Sequence, residues 1–250
     1  MSRVPAVTQA GALLRALAER GPSTATALAR VIDAPRSTTY HLLAVLRDDG
    51  YVIHLPERKR WALGPTAFFV GQGFLRHDPR EELTRPALIA LAEETGATAH
   101  LGVLHGTEVL YLAKESARTG RPAPTLITGV GVRLPAATTA SGRALLACLP
   151  TEQVRALMSV DTAFAARTER GPTTLSALQR ILAQERRDGY SMEEGEVMAG
   201  FASVAAAAVD RRGQPVASVG LTVRATDAGN LTDLAERVRR TAQEVQTLLG

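Results

Sequence analysis

Residues 35–64 read PRSTTYHLLAVLRDDGYVIHLPERKRWALG, and this stretch decides the fold of the first third of the chain. Pro35 and Ser37 are start signals for a helix that stops at Gly50. The apolar residues of this helix share one face and leave small hydrogen-bonding residues on the open face of its first turns. Beyond it, two short strand-like runs flank the basic segment 56–60, which predicts a hairpin.

Two further helices precede this stretch. Apolar residues recur at helical spacing from Val7 to Glu19, and Ser23 or Thr24 can cap a second helix that runs to Val31. Three helices followed by a hairpin are the pattern of a winged helix-turn-helix. In such a unit the recognition helix enters the major groove, where its amino-terminal end meets base edges and phosphates. The helix that begins at Arg36 is therefore predicted to be the recognition helix, with the hairpin as its wing.

The excess positive charge lies in the same region. Residues 1–76 carry ten Lys and Arg against five Asp and Glu, whereas residues 77–250 carry 19 against 20. Arg36 is placed for a bidentate contact to guanine or phosphate. Three adjacent cations at a hairpin tip repel one another unless a polyanion lies nearby, although in a lone hairpin a solvated turn would be the simpler interpretation. The residues expected to contact DNA lie at the start of the second helix, on the recognition helix and at the wing: Ser23, Thr24, Arg36, Ser37, Thr38, Tyr40, His41, Arg58, Lys59 and Arg60.

The composition is that of a soluble globular protein, with 45% apolar and 22% charged residues. The single cysteine, Cys148, excludes an intramolecular disulfide and fits a reducing compartment. No apolar run reaches the roughly 20 residues that span a bilayer, and the amino terminus lacks a signal-peptide core. We therefore expect a cytoplasmic protein that needs no cofactor and does not bind a membrane.

The rest of the chain predicts a connecting helix and a second domain. The apolar segment 68–75 is interpreted as a helix that packs on its own domain or on a partner subunit, with a membrane-surface segment as the alternative. We expect a DNA-binding domain over residues 1–66, a linker helix over 67–78 and a third region over 79–250.

Within residues 79–250, strand pairs alternate with helices. This order is typical of an α+β domain with an antiparallel sheet, which can hold a ligand between one face and its covering loops. The predicted strands are Thr98–His105, Glu108–Ala113, Ala202–Val209 and Pro215–Val223. The predicted helices are Glu81–Thr95, Thr139–Leu149, Glu152–Met158, Leu175–Arg187 and Leu231–Leu249. On the first of these helices the residues expected to point inward are Leu83, Ala87, Leu88, Leu91 and Ala92. On the last, one stripe is formed by Leu231, Leu234, Val238, Thr241, Val245 and Leu248.

With these segments laid out, the chain resembles the IclR family of bacterial transcription regulators over nearly its whole length. Each short motif is weak alone, but their order and spacing over about 200 residues are specific. In the first domain the resemblance rests on Pro35-Arg36-Ser37-Thr38, Leu42-Leu43, Gly50-Tyr51 and Leu63-Gly64. In the second it rests on Arg133-Leu134-Pro135, the run Thr139–Ala147, Gly189-Tyr190, Glu194, Gly200, Ala205-Ala206 and Asp210-Arg211-Arg212-Gly213.

The resemblance implies a winged helix-turn-helix, a linker helix used in dimerisation, and a GAF-like effector domain. It also implies homodimers or homotetramers on palindromic double-stranded operators, with a small organic effector, a carboxylate or an aromatic compound, that modulates operator binding. The effector residues that it implies are Leu134, Ala140, Ser141, Glu193, Phe201, Ser203, Gly220 and Thr222. A helix start at Ala140-Ser141 suits a carboxylate, because its N–H groups point outward.

Four positions depart from the family pattern. Ala136-Ala137 stands where Leu-His is usual, Arg143 replaces a lysine, Ala207 a common proline, and His41 a frequent arginine. The two alanines predict a roomier and less polar pocket. His41 is expected to weaken a phosphate or base contact.

Other classes of function fit less well. A hydrolase would combine Ser141 with His100 or His105 and with Glu193, but there is no G-x-S-x-G elbow. A metal site is disfavoured because two histidines five apart on a strand point to opposite faces. A DNA-binding dimer whose second domain senses nothing remains an open alternative.

Overall fold

The computed structural model describes residues 4–77, 79–118, 126–227, 229 and 231–249. The chain divides into two compact units, Met1–Asp78 and Pro79–Gly250. Among the described residues, none of the helices has both the length and the apolarity that crossing a membrane requires.

The first unit contains four helices and a two-stranded antiparallel hairpin in its described part. Thr24 caps the second helix, since its hydroxyl accepts the Ala27 N–H at 3.3 Å. The elements are α1 Pro5–Arg20, α2 Ala25–Val31, α3 Arg36–Asp48, β1 Val52–Leu55, β2 Arg60–Leu63 and α4 Pro65–His77, with a 3₁₀ turn at Pro56–Arg58.

The core of this unit joins the three helices to the hairpin. Leu13 and Leu17 of α1, Leu28 of α2 and Leu43 of α3 are buried together with Trp61 of β2. The backbones of Ser23 and Trp61 exchange two hydrogen bonds, of 2.9 and 2.8 Å, so the hairpin is fixed to the start of α2. The structure thus contains the winged helix-turn-helix that the sequence predicted.

The second unit is built on a six-stranded antiparallel sheet with the order β5-β4-β3-β8-β7-β6. The strands are β3 Thr98–His105, β4 Glu108–Ser116, β5 Arg133–Pro135, β6 Ser191–Glu194, β7 Phe201–Val209 and β8 Pro215–Arg224. The helices are α5 Pro79–Thr95, α6 Ala140–Ala147, α7 Thr151–Leu157, α8 Leu175–Asp188 and α9 Leu231–Leu249, with 3₁₀ turns at Asp161–Phe164 and Ala225–Asp227.

Helices cover both faces of this sheet. Leu88 and Leu91 of α5 and Val238 and Val245 of α9 share an apolar core with one face. Helix α6 lies on the other face, and α7 and α8 pack behind it through a second apolar cluster around Leu146. The α+β class predicted from the sequence is confirmed, and α6 sits where a ligand on that face would meet it.

Several sequence-based details were wrong. Two short strands, β5 and β6, were not predicted, because three and four residues are too few for a visible alternation. Leu83 is 44% exposed and Thr84 takes the inward place on α5, with its hydroxyl satisfied by the Arg80 carbonyl. On α9, Leu248 is 43% exposed, and small residues such as Ala235 are buried because they let the helix approach the sheet closely.

Candidate functional site

The open face of α3 carries the side chains predicted to contact DNA. Thr39, Leu43 and Leu46 are buried against the core, which leaves the other side of the helix in solvent. The predicted residues on that side are all exposed: Arg36, Ser37, Thr38, Tyr40 and His41. The amino-terminal half of α3 therefore presents a contiguous polar surface.

The three wing cations differ in their surroundings. Arg58 and Lys59 are exposed at the tip, where Lys59 adopts a left-handed φ of 47°. Within the described part of the chain, neither side chain forms a hydrogen bond or an ion pair, whereas the Lys59 backbone N–H donates to the Pro56 carbonyl at 3.1 Å. Arg60 instead donates from Nη1 to the Pro22 carbonyl at 3.0 Å. Arg60 thus holds the wing against the start of α2.

The two hydroxyls predicted at the start of α2 are already engaged within the fold. The Ser23 hydroxyl donates to the Gly21 carbonyl at 3.1 Å, and the Thr24 hydroxyl accepts the capping bond from Ala27. Each hydroxyl oxygen retains further capacity, since a hydroxyl has one proton and two lone pairs.

In the second unit, a cavity of about 440 Å³ lies between the sheet and α6. Seven of the eight predicted effector residues line it: Ala140, Ser141, Glu193, Phe201, Ser203, Gly220 and Thr222. Leu134 does not, because it is buried in a neighbouring apolar cluster with Val109 and Leu145. Other residues that line the cavity were not predicted to do so, among them His100, Tyr111, Thr128, Val197 and Met198. His100 lies on β3 and Tyr111 on β4. Only the pairing of these two strands with their neighbours shows that His100 and Tyr111 line the cavity.

Strand register brings three polar residues into one row across the cavity floor. Glu193, Ser203 and Thr222 are direct cross-strand neighbours on β6, β7 and β8. The Ser203 hydroxyl lies 2.6 Å from Glu193 Oε1 and 3.1 Å from the Thr222 hydroxyl. Glu193 Oε2 accepts the backbone N–H groups of Glu196 and Val197 at 3.0 and 3.4 Å. Burial raises the pKa of Glu193, and the donated hydrogen bonds oppose that rise.

A second polar group lies at the start of α6. Thr139 caps this helix by accepting the Gly142 N–H at 3.0 Å, and Ser141 follows in its first turn. A Cβ on Gly220 would stand 2.8 Å from the Ser141 hydroxyl oxygen, so glycine at this position allows the close approach of α6 to β8. The phenol of Tyr111 is buried beside Ser141, and burial raises its pKa.

His100 is a neutral core residue that borders the cavity. It is 2% exposed, and its Nε2 lies 2.8 Å from the Thr128 hydroxyl. Burial, with a smaller contribution from the nearby charge of Lys114, lowers the pKa of His100 to about 3. The hydrogen-bond partner of its Nε2 is Thr128 and not Ser141, which gives no support to the hydrolase alternative.

The expectation that Ala136 and Ala137 enlarge the cavity was wrong. Both are fully buried in the apolar cluster around Leu146, and neither lines the cavity. A Cβ on Gly142 would stand 2.3 Å from the Ala136 Cα, so the backbone before α6 packs tightly on its first turn. The alanines serve core packing, not the ligand space.

Arg143 joins the cavity-lining helix to its surroundings. Its side chain is fully buried and uses all three nitrogens. Nε lies 3.0 Å from Glu185 Oε1 on α8, Nη1 lies 2.7 Å from Glu196 Oε2, and Nη2 donates to the Met192 carbonyl. A lysine has one nitrogen and could not make this fork, which gives the departure from the family pattern a structural role.

A winged helix-turn-helix, joined to a second α+β unit that holds a cavity, is the architecture of helix-turn-helix transcription regulators. Two family models match the chain. The IclR helix-turn-helix domain matches residues 6–56, and the bacterial transcriptional regulator IclR C-terminal domain matches residues 75–247. The chain belongs to the IclR family and is a regulator, not an enzyme.

Individual relatives agree with this assignment. The transcriptional repressor IclR of Escherichia coli K12 is 31% identical over 99% of this chain and 91% of its own length. The regulator BhcR of Paracoccus denitrificans is 31% identical over 97% of this chain and 86% of its own length.

Solved structures share the fold. An IclR regulator from Alicyclobacillus acidocaldarius superposes with a TM-score of 0.80 at 22% identity, over 100% of both chains. An IclR homolog from Microbacterium hydrocarbonoxydans, complexed with 4-hydroxybenzoate, gives a TM-score of 0.74 at 22% identity, over 98% of both chains.

Proposed function

We propose that this regulator binds palindromic operators as a homodimer or homotetramer and that a small organic effector in the second-unit cavity modulates the binding. In this proposal residues 1–66 bind DNA, 67–78 form the linker helix used in dimerisation, and 79–250 form the effector-binding and oligomerisation domain. The observation that carries it is the occurrence, in one chain, of an exposed recognition-helix surface and a buried polar cavity.

The DNA-binding surface has the chemistry that operator recognition needs. Arg36 can form a bidentate contact to guanine, and the hydroxyls of Ser37 and Thr38 can reach bases or phosphates from the first turn of α3. Arg58 and Lys59 at the wing tip supply charge for the backbone. Together they separate the reading of sequence on α3 from electrostatic attraction at the wing.

The exposed apolar side chains of α4 favour a dimer. Phe68 is 72% exposed and Val70 is 52% exposed, which is costly in water unless a second copy covers them. A twofold dimer presents two recognition helices to half-sites about one DNA turn apart, and this geometry matches a palindromic operator.

The composition of the cavity suits a small effector, because apolar walls surround a few polar groups. The amino-terminal turn of α6 suits a carboxylate, and Phe201 and Val197 offer apolar walls. The 4-hydroxybenzoate held by the Microbacterium homolog is an aromatic carboxylate of the proposed class.

Selection from a random duplex library tests the DNA-binding half of the proposal. We expect the wild-type chain to enrich a sequence with twofold symmetry. The double variant Arg36→Ala/Thr38→Ala should lose about 5- to 150-fold of its preference for that sequence, because one good bidentate base contact contributes about 1–3 kcal/mol of discrimination.

Arg47→Ala is the matched control for this experiment. Arg47 lies at the other end of α3, is exposed and pairs with the adjacent Asp48, so its removal should leave the preference intact. An unchanged preference in the Arg36/Thr38 variant would overturn the placement of the recognition surface. Failure of the wild-type chain to enrich any sequence would overturn sequence-specific binding itself.

A further inference from the structure

The hydroxyl groups on the cavity floor form a chain with a fixed direction. A carboxylate only accepts hydrogen bonds, so the single proton of the Ser203 hydroxyl is donated to Glu193 across the 2.6 Å contact. Ser203 can then only accept from Thr222 across the 3.1 Å contact. The chain therefore runs from Thr222 through Ser203 to Glu193.

In this direction the hydroxyl protons of Ser203 and Thr222 are both donated within the row. The other Glu193 oxygen already receives two backbone N–H groups, which adds no donor to the cavity. What Glu193, Ser203 and Thr222 retain toward a ligand is acceptor lone pairs. A ligand group placed against this row must donate a hydrogen bond, since facing buried acceptors with another acceptor leaves both unsatisfied.

Two further hydroxyl-bearing residues at the cavity, Thr139 and Thr128, have partners within the fold. Thr139 donates to the Pro135 carbonyl at 3.1 Å, and Thr128 pairs with His100. Among the described residues that line the cavity there is no Lys or Arg. The ligand therefore meets no fixed cation at the walls described.

The opposite end of the cavity retains donors. Ser141 and Tyr111 lie side by side and have two hydroxyl protons, and a hydrogen bond between the two hydroxyls would use only one of them. Ser141 also lies in the first turn of α6, where N–H groups favour acceptors and anions.

The distance between the two ends follows from the strand. Ser141 approaches Gly220, and Thr222 lies two residues further along the same face of β8. Two residues of a strand span about 7 Å. The donor end and the acceptor row are thus about two strand residues apart, so a single ligand can contact both.

We propose that the effector carries an O–H or N–H donor at the end opposite to an acceptor group such as a carboxylate, and that the Glu193–Ser203–Thr222 row selects for the donor. This inference rests on the proposed effector-sensing function. It narrows the class from carboxylates in general to those with a hydrogen-bond donor at the far end.

Calorimetric titration of the full-length chain with size-matched pairs tests the inference. The probes are 4-hydroxybenzoate and 4-aminobenzoate against 4-methylbenzoate, and 4-hydroxybutanoate against pentanoate. In each pair the donor is replaced by a methyl group of similar size. We expect the donor compounds that bind to do so about 10- to 100-fold more tightly than their methyl partners.

Two variants test whether the Glu193–Ser203–Thr222 row causes the preference for donor compounds. Thr222→Val keeps the shape and the Ser203–Glu193 bond but removes the acceptor that the β8 end of the row presents, and Glu193→Gln replaces an acceptor oxygen with a donor amide. Each should reduce the preference to less than about threefold. Ser218→Ala is the matched control, because Ser218 is a buried hydroxyl on the same strand that bonds the Gly102 carbonyl and does not line the cavity.

The outcomes separate the inference from the function on which it rests. Equal binding of donor and methyl compounds would overturn donor selection and leave effector sensing in place. A preference that persists in both Thr222→Val and Glu193→Gln would overturn the assignment to this row. If no probe binds and none alters operator affinity, the effector-sensing proposal fails and the inference with it.

Discussion

His100 is a buried side chain that affects both the pH dependence of the protein's stability and the structure of the cavity wall. Its ring is enclosed by Tyr111, at a centroid distance of 5.4 Å, and by Thr128. Because no room is left for the hydration of a charge, the folded state holds the ring neutral. The same restraint positions the segment around Thr128 beside the cavity, where Lys114 also donates to the Thr128 carbonyl at 2.9 Å.

Histidine protonation should destabilise the protein as the pH falls below 6.5. The unfolded chain protonates His100 near pH 6.5, whereas the folded chain resists protonation down to a pKa of about 3. Stability from the neutral ring is therefore complete above pH 6.5 and is lost progressively toward pH 3. Between pH 7 and pH 5 the loss is about 2 kcal/mol, from about 1.4 kcal/mol per pH unit.

Urea unfolding of the wild type and of His100→Gln at pH 7 and at pH 5 measures this loss of stability. Burial raises the pKa of Glu185 and of Glu193, and these groups act in the opposite direction as the pH rises above the usual glutamate range. The difference between the two chains isolates His100. A loss of stability that is the same in both chains would show that His100 does not titrate as described.

The wing is an element whose position depends on contacts outside its own sequence. Its strands pair from Val52–Leu63 to Leu55–Arg60, and an isolated bridge between Ser23 and Trp61 joins the hairpin to the start of α2. Arg60 reinforces this junction through the Pro22 carbonyl. The sequence predicts the same role for all three cations of the wing. Arg60 differs from the other two because it contacts the junction with α2.

Removal of the two tip cations should weaken binding to all DNA. In Arg58→Ala/Lys59→Ala we expect the slope of log affinity against log salt to fall by about 2, because each phosphate contact contributes about 0.9. The preference among sequences should stay the same. Filter binding or fluorescence anisotropy over a salt series measures both quantities.

Arg211→Ala/Arg212→Ala provides the control for this prediction. These residues are also two adjacent exposed cations in a turn between strands, but they belong to the second unit. Their loss should leave the salt dependence as it was. The wing assignment is contradicted if the two double variants behave alike.

At the scale of the whole molecule, each of the two units has its own apolar core. In the first unit the core surrounds Trp61, the single tryptophan, and in the second it lies between the sheet and the helices α5 and α9. Two cores of different size are expected to unfold as separate cooperative units, since neither depends on the other for its burial.

Thermal unfolding followed by two signals tests this independence. Trp61 is 5% exposed, so its fluorescence reports the first unit, whereas far-ultraviolet circular dichroism reports both. We expect the two curves not to coincide. A saturating DNA duplex at about 100 times its dissociation constant should raise the stability of the first unit by about 2.7 kcal/mol and move the fluorescence transition. Coincident transitions with and without DNA would show a single cooperative unit.

The sequence by itself determined the class of protein. The helical spacing of α1 to α3, the apolar stripe of α3 and the basic hairpin are local patterns. Such patterns can be recognised in the sequence because residues close in sequence lie close together within one helix or hairpin. The order of family motifs, including the run around Ser141, likewise indicated which residues of the second unit to consider. The eight effector residues remain a proposal, of which seven border one cavity.

The tertiary structure alone decided what depends on contacts distant in sequence. Strand register aligned Glu193 with Ser203 and Thr222, although they are separated by up to 29 positions. Packing placed Ala136 and Ala137 in the core behind α6, moved Leu134 out of the cavity wall, and gave Arg143 its two carboxylate partners. The physical reason is that burial and hydrogen-bond direction are set by which elements meet, and the residues of one element do not specify its partner.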